Sequence, residues 1–365
     1  MEQPTLRTSS TGKLKRLFFH FLNPTTVLTI VEDVVDNDWC VAVLRSERAV
    51  LTIWYHPTIV LDTGFSAAVH TVVFHPDGIH MLGGGDAGIR RWRLADGQEV
   101  GKQTGMELRA ISVSRDHRWI VCGTTSGTSV WDAELREKLI DAEGTNTVIA
   151  VDVSPDSTRF ATGTEKDASI WSIPSGVRLV GPLKHNNWVA GIKFSPNGEH
   201  IASMEKSIRV FDSHTGDELM SITTTAPSQL INTPLAWSND SRQIFAASKD
   251  NKIKCFEVST GSLLAKSQTL DGGDVESVAL ATSGKFIATY ASSAIYFLDT
   301  STLTEIGPVI KDSTTIYSIT LSLDSSYLAT GRLGKVAIHK LVNILPDFYG
   351  DSHVVSIWLP FRLLR

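Results

Sequence analysis

The most suggestive chemical pattern in the chain is Gly83-Gly84-Gly85-Asp86-Ala87-Gly88, which has the GxGxxG spacing of loops that cradle a pyrophosphate. Such a loop works only where a strand feeds it and a helix opens behind it, so that backbone N–H groups and the helix terminus face the phosphates. Here the residues behind it, 89–94, read as a strand, and the motif becomes a glycine-rich hairpin. No GxSxG elbow, HExxH pair or GxxxxGK[ST] loop is present. The 11 histidines are scattered, with His75, His117 and His185 at turns or loops. Cys40, Cys122 and Cys255 are odd in number and too far apart for a CxxC pair, so neither a disulfide framework nor a structural zinc is expected. Cys122 and Cys255 read as small buried apolar side chains. The expectation is a protein with no catalytic residues, no cofactor and no metal.

The elements that would position a site are clearer. Residues 150–176 contain three short runs, 150–153, 159–162 and 168–173, each with the period-2 pattern of a strand. Ser154-Pro155-Asp156-Ser157 separates the first two. Pro presets φ, and the Asp and Ser side chains bond back to nearby N–H groups, which makes a tight turn. Three strands of this size cannot bury a face alone, and the unit recurs. Its turn returns as His75-Pro76-Asp77-Gly78, Ser114-Arg115-Asp116-His117, Ser195-Pro196-Asn197-Gly198, Ser238-Asn239-Asp240-Ser241, Ala281-Thr282-Ser283-Gly284 and Ser322-Leu323-Asp324-Ser325. A ring closes each third strand: Trp92, Trp131, Trp171, Phe211, Phe256, Phe297 and then His339, at intervals of 39, 40, 40, 45, 41 and 42 residues. A period near 40 with several strands per unit is the signature of a propeller array.

At Val151-Asp152-Val153-Ser154-Pro155-Asp156, Phe160-Ala161-Thr162-Gly163 and Ser169-Ile170-Trp171 the chain resembles the WD40-repeat family. The name-giving dipeptide stands once as Trp131-Asp132 and in altered form as Phe211-Asp212 and Phe256-Glu257, and the resemblance covers residues 67–341. It implies an all-β propeller of four-stranded blades whose ring closes by mixing chain ends. Seven blades are expected, with residues 58–63 as the closing strand. Eight follow if residues 25–66 form a degenerate blade, a variant suggested by Trp54, which lies 38 positions before Trp92. Closure removes the two open sheet edges that would otherwise template aggregation.

The resemblance also implies a stabilising network linking the third-strand Trp, a hairpin acid, a loop His and a second-strand Ser or Thr. Acids stand six positions before the ring at Asp86, Glu165, Glu205 and Asp250, and the loop His is matched by His185 alone, in a unit whose ring is Phe211. No unit holds the complete set, so Trp92, Trp131, Trp171, Phe211, Phe256, Phe297, Asp86, Asp250 and His185 are expected to be structural. The family's commonly used binding face joins the loops into the first strands with the second-to-third hairpins. Carried onto this chain it offers Arg109, Trp188, Lys249, Glu276, Tyr317 and Arg332 to protein or peptide partners. The function implied is a non-catalytic interaction scaffold. One alternative is a ligand-sensing propeller related to, or a fragment of, a larger NTPase switch protein. Another is a propeller hydrolase or quinoprotein-type enzyme, which would need acids converging from several innermost strands; only Asp152 is acidic in the first-strand interiors read this way.

Composition sets the remaining bounds. Of 365 residues, 42% are hydrophobic and 20% charged, an ordinary globular mix, and the net charge of −5 argues against general nucleic-acid binding. The apolar stretch behind Lys13-Leu14-Lys15-Arg16 is only about six residues long, too short for a secretory h-region or a membrane span. A soluble cytoplasmic protein, with a nuclear site as the variant, is the expectation. The expected organisation is an N-terminal extension or degenerate blade over 1–57, a propeller over 58–345 and an apolar tail over 346–365.

Overall fold

The computed structural model describes residues 57–64, 67–143, 146–224 and 234–349, together with the strand backbones of 17–21, 28–32, 40–44 and 52–55. The expected tail beyond residue 349 lies outside the described residues. Seven four-stranded antiparallel sheets form a closed ring. Blades 1 to 6 span residues 69–103, 108–143, 148–184, 191–223, 235–266 and 275–311. Blade 7 takes Ser318–Leu321, Tyr327–Gly331 and Lys335–Lys340, and its fourth strand is Ile59–Asp62 from before blade 1. Each first strand lies beside the first strand of the next blade, and that of blade 7 beside that of blade 1. The seven-bladed expectation therefore holds. Closure is held at both ends of the graft: the Lys340 N–H donates to Thr58 Oγ1 at 3.2 Å, and the Thr63 N–H donates to the Gly334 carbonyl at 3.0 Å. Leu17–Phe21, Leu28–Glu32, Cys40–Leu44 and Thr52–Tyr55 form a separate four-stranded meander whose strands pair only with one another.

Local chemistry explains why each unit folds alike. In all seven first turns the fourth residue is left-handed: Gly78, His117, Ser157, Gly198, Ser241, Gly284 and Ser325 have φ between 57° and 75°. The leading Ser closes the turn, as where Ser114 Oγ donates to Asp116 at 2.6 Å and accepts from the Trp119 N–H at 2.9 Å. Where the left-handed residue is Ser, its hydroxyl reaches the preceding blade: Ser157, Ser241 and Ser325 accept from the N–H of Asp116, Asn197 and Thr282. One local motif thus sets the turn and staples neighbouring blades.

Between blades, the third-strand ring packs against the preceding sheet. Phe211 joins Ile170 and Val180 of blade 3, and Phe256 joins Val210 and Ile222 of blade 4. In blade 6 the register corrects the sequence reading. Ile287 pairs with Leu298, as Ile244 pairs with Phe256 in blade 5 and Phe160 with Trp171 in blade 3. Leu298, not Phe297, holds the ring position. A one-residue offset in a strand turns the side chain to the other face, so Phe297 packs toward blade 7 with Phe286 and Leu328. The triglycine is a hairpin strand, His80–Gly85, followed by Gly88–Arg93. A Cβ on Gly84 would stand 2.3 Å from Leu108 of blade 2, so that glycine permits close blade packing. Cys122 and Cys255 are free and buried, and burial pushes their thiols up to about 12 and about 11.

Candidate binding face around the channel mouth

The first strands of blades 1, 2, 3 and 6 share a β-bulge at their channel-mouth end. Val69 and Thr71 pair with Gly85 and Gly84, leaving His70 as the extra residue; the same offset isolates Arg109, Ile149 and Glu276. A bulge re-aims the side chain it carries and is enriched beside functional sites. Arg109 and Glu276, two residues expected on the binding face, owe their placement to it. His70, which sequence reasoning passed over, occupies the same position.

Around the mouth, His70 connects three blades. Its Nε2 lies 3.0 Å from Asp86 Oδ1 and 3.3 Å from the Arg109 guanidinium, and its ring stands edge-on to Tyr317 at 6.3 Å. Burial lowers the His70 pKa below the usual histidine value, against the opposing pull of Asp86. Arg109 lies 3.6 Å from Asp86 and 3.7 Å from Glu107, both beyond hydrogen-bond range. Leu333, at the hairpin tip of blade 7, is 58% exposed and bridges to Ala68 of the strand leading into blade 1. Arg109, Tyr317, His70 and Leu333 therefore gather over blades 7, 1 and 2.

The remaining expected residues behave differently. Arg332 is committed to an ion pair with Asp312, their side chains 13% and 4% exposed, so it braces the blade 7 hairpin rather than facing solvent. Glu276 accepts a hydrogen bond from Tyr290 Oη at 3.3 Å, and burial raises its carboxyl to about 7. Trp188 is half-buried in the loop into blade 4, and Lys249 is exposed on the blade 5 hairpin.

The structural residues form fragments of the expected network. Nδ1 of His185 donates to the Leu183 carbonyl at 2.8 Å, which leaves Nε2 to accept from Ser203 Oγ at 2.7 Å. Glu205 accepts the Asn186 and Asn187 N–H groups at 3.0 and 2.9 Å, and Phe211, with no donor, ends the chain of bonds. Trp171 Nε1 donates to Thr162 at 2.9 Å, whereas Trp131 Nε1 turns to Ser129 on its own strand. Asp250 pairs with Lys254 at 3.1 Å. Asp86 pairs with a first-strand His rather than the loop His of the pattern, which is why no sequence template flagged His70.

Inside the mouth lies a cavity of about 160 Å³, lined by His70, Arg109, Ser112, Lys193, Ser277 and Ser318 among others. The inner-strand acid Asp152 is taken up by Lys193 Nζ at 2.8 Å and the Phe194 N–H at 2.9 Å. Among the described residues no group of His, Cys, Asp and Glu is arranged to hold a metal, and no helix is long and apolar enough to cross a membrane.

Comparison with known proteins agrees with this architecture. The family described as "WD domain, G-beta repeat" matches residues 178–212 and 235–257. The first match runs from the fourth strand of blade 3 through the third strand of blade 4; the second covers the first three strands of blade 5. Protein tipD of Dictyostelium discoideum is 23% identical over 207 residues, 54% of this chain and 33% of tipD. The small ribosomal subunit protein RACK1 of Drosophila melanogaster is 28% identical over 176 residues, 45% of this chain and 55% of RACK1. The nuclear distribution protein nudF of Aspergillus niger is 27% identical over 189 residues, 43% of this chain and 42% of nudF. The chain thus spans a third to about half the length of these relatives.

Proposed function

The chain is a WD40-repeat β-propeller, and from that premise we propose that it is a non-catalytic protein-interaction scaffold whose partner docks over the channel mouth at blades 7, 1 and 2. The observation that carries this reading is the gathering of Arg109, Tyr317 and His70 from three blades beside the exposed Leu333. Tyr and Arg are enriched among binding hot spots, and a closed ring holds them rigidly on loops. Trp188, Lys249 and Glu276 extend the face around the ring.

A ligand sensor is less well supported. At the docking face the mouth cavity of about 160 Å³ falls below the roughly 300 Å³ at which small-molecule sites begin, and the larger cavity of about 450 Å³ lies away from that face, between blades 5 and 6. A hydrolase reading fares no better, because Asp152 is occupied by Lys193 and Glu276 sits on a different blade. We place the protein in the cytoplasm on this reading.

The test is affinity capture with three forms of the full chain: wild type, an Arg109→Ala/Tyr317→Ala/Leu333→Asp variant, and an Arg115→Ala/Arg118→Ala variant on the opposite, turn-bearing face. Partners lost from the first variant and kept by the second support the assignment. Equal recovery by wild type and the mouth variant overturns it.

A further inference from the structure

We propose that the groove between blades 5 and 6, on the turn-bearing face, receives one arginine side chain from a partner protein. The site lies opposite the channel mouth and stands independently of the docking assignment there.

Five positions after the first residue of each turn, six blades carry a ring or a guanidinium: His80, Trp119, Arg159, His200, Phe286 and Tyr327. These groups pack at the seam with the following blade. His200 stacks on Trp237 of blade 5 at 6.4 Å, Tyr327 joins Phe74 of blade 1, and the Arg159 guanidinium lies over the Phe194 ring of blade 4 at 5.5 Å. In blade 5 the position holds Gln243, and Leu280 of blade 6 stands where Phe194 stands in blade 4. A cavity of about 450 Å³ opens where the planar group is missing, lined by Gln243, Leu280, Gly284 and Thr300 among others. Gln243 turns back to its own blade, its Oε1 accepting from Cys255 Sγ at 3.6 Å.

The wall contributed by blade 6 selects the occupant. Two positions beyond the ring position, blades 1, 2, 3, 5 and 7 carry Leu94, Ala133, Ile173, Val258 and Leu341, all apolar and opposite ring-bearing positions. Blades 4 and 6 carry Ser213 and Thr300 instead. Each hydroxyl donates to the carbonyl of the turn glycine at 2.6 Å, Ser213 to Gly198 and Thr300 to Gly284. In blade 4 this pair receives Arg159. Its Nη1 donates to the Ser213 carbonyl and hydroxyl at 3.0 and 3.2 Å, and its Nη2 donates to the Gly198 carbonyl at 3.2 Å. Blade 6 repeats that receptor, and blade 5 offers it Gln243 in place of an arginine. The Gly284 carbonyl keeps a second lone pair beside the Thr300 bond, the one Gly198 uses for Arg159. A guanidinium fork can span both acceptors, whereas an ammonium is a single point charge.

The experiment is random-peptide display on the immobilised full chain, selected on wild type and counter-selected on Gln243→Arg. That variant supplies from within the side chain that Arg159 supplies to blade 4, so its thermal midpoint should equal or exceed that of the wild type while the groove is filled. Peptides enriched on wild type alone should share an Arg at one position. Replacing it by Lys or by citrulline should weaken binding, read by fluorescence, at least tenfold. Thr300→Val keeps the shape of the wall and removes its hydroxyl, and should weaken the same peptides several-fold. Peptides held at the channel mouth bind wild type and Gln243→Arg alike. A Gln243→Arg midpoint well below that of the wild type overturns the arginine assignment, and so do selected peptides that share a ring or tolerate citrulline. If no peptide distinguishes wild type from Gln243→Arg, the site itself is overturned and the mouth assignment is untouched.

Discussion

The seam between blades 3 and 4 and the seam between blades 6 and 7 share one backbone plan and account for their polar groups differently. At the first, Gly163 lies opposite the bulge, where a Cβ would stand 2.8 Å from Val189, and the sheets close tightly. The polar side chains there are paired: His185 with Ser203 and Glu205 with two backbone amides. At the second, Tyr290 stands where Gly163 stands, fully buried and packed with Phe286, Phe297 and Leu328. Phe348 from beyond blade 7 closes onto Phe286 at 5.6 Å. His339 holds the Trp position, 1% exposed, with neither ring nitrogen partnered. The Arg332–Asp312 pair is buried in blade 7 and in the loop leading to it. The same fold tolerates a seam rich in satisfied polar contacts and one where aromatic packing offsets an unsatisfied histidine. Seven similar blades are therefore not seven equal sources of stability.

Breaking the Arg332–Asp312 pair should have the largest effect. Asp312→Ala leaves a buried guanidinium, whose charged form burial already disfavours, without its partner. The expected loss is about 3–5 kcal/mol, read from chemical denaturation midpoints.

His339→Phe should move stability the other way. It fills the ring position and removes two unpartnered buried nitrogens, for an expected gain of about 1–3 kcal/mol. It should also change the acid limb of the stability curve. Burial lowers the His339 pKa from 6.5 to about 3 in the folded protein. Between those values the unfolded chain binds the proton and the folded chain does not, so stability falls as pH drops from 6.5 toward 3. The wild type should show that slope more steeply than His339→Phe, and the two should run parallel above pH 6.5. Glu276 acts in the opposite sense. Its folded value, raised from 4.5 to about 7, makes stability fall as pH rises through that window, and Glu276→Gln should flatten the decline. Thermal midpoints measured from pH 4 to 8 separate the two effects.

On the side of blade 3 that faces blade 2, Trp171→Phe removes one donor and leaves the buried Thr162 hydroxyl without it, a loss of about 1 kcal/mol by denaturant titration. The smallest change belongs to Ser157→Gly. Relief of a left-handed φ of 60° opposes the loss of the hydroxyl that accepts from Asp116, and the net shift should stay within about 0.5 kcal/mol.

Much of the fold was legible because it is written in local signals. Turn residues at a fixed offset and alternating runs recur every 40 or so positions, and Thr58–Thr63 stood out as the strand needed to close the ring. The Phe297 assignment shows the limit of that reading. An aromatic at the right distance looked like the ring residue, but register is decided by the partner strand, and Leu298 took the position. The binding face was legible in outline from the family pattern. Its centre was not, since His70 lies inside an alternating strand and nothing local distinguishes it from a residue facing the core.

The sequence by itself determined the repeat and the turn chemistry, because each rests on backbone preferences acting over a few residues; the count of seven blades was settled by strand pairing. Only the tertiary structure decided which side chains reach the channel mouth, which hairpin cation is committed to a buried partner, and which seam carries an orphan histidine. Those outcomes depend on bulges, strand register and contacts between residues tens to hundreds of positions apart, where burial and charge are set by neighbours that local pattern cannot identify.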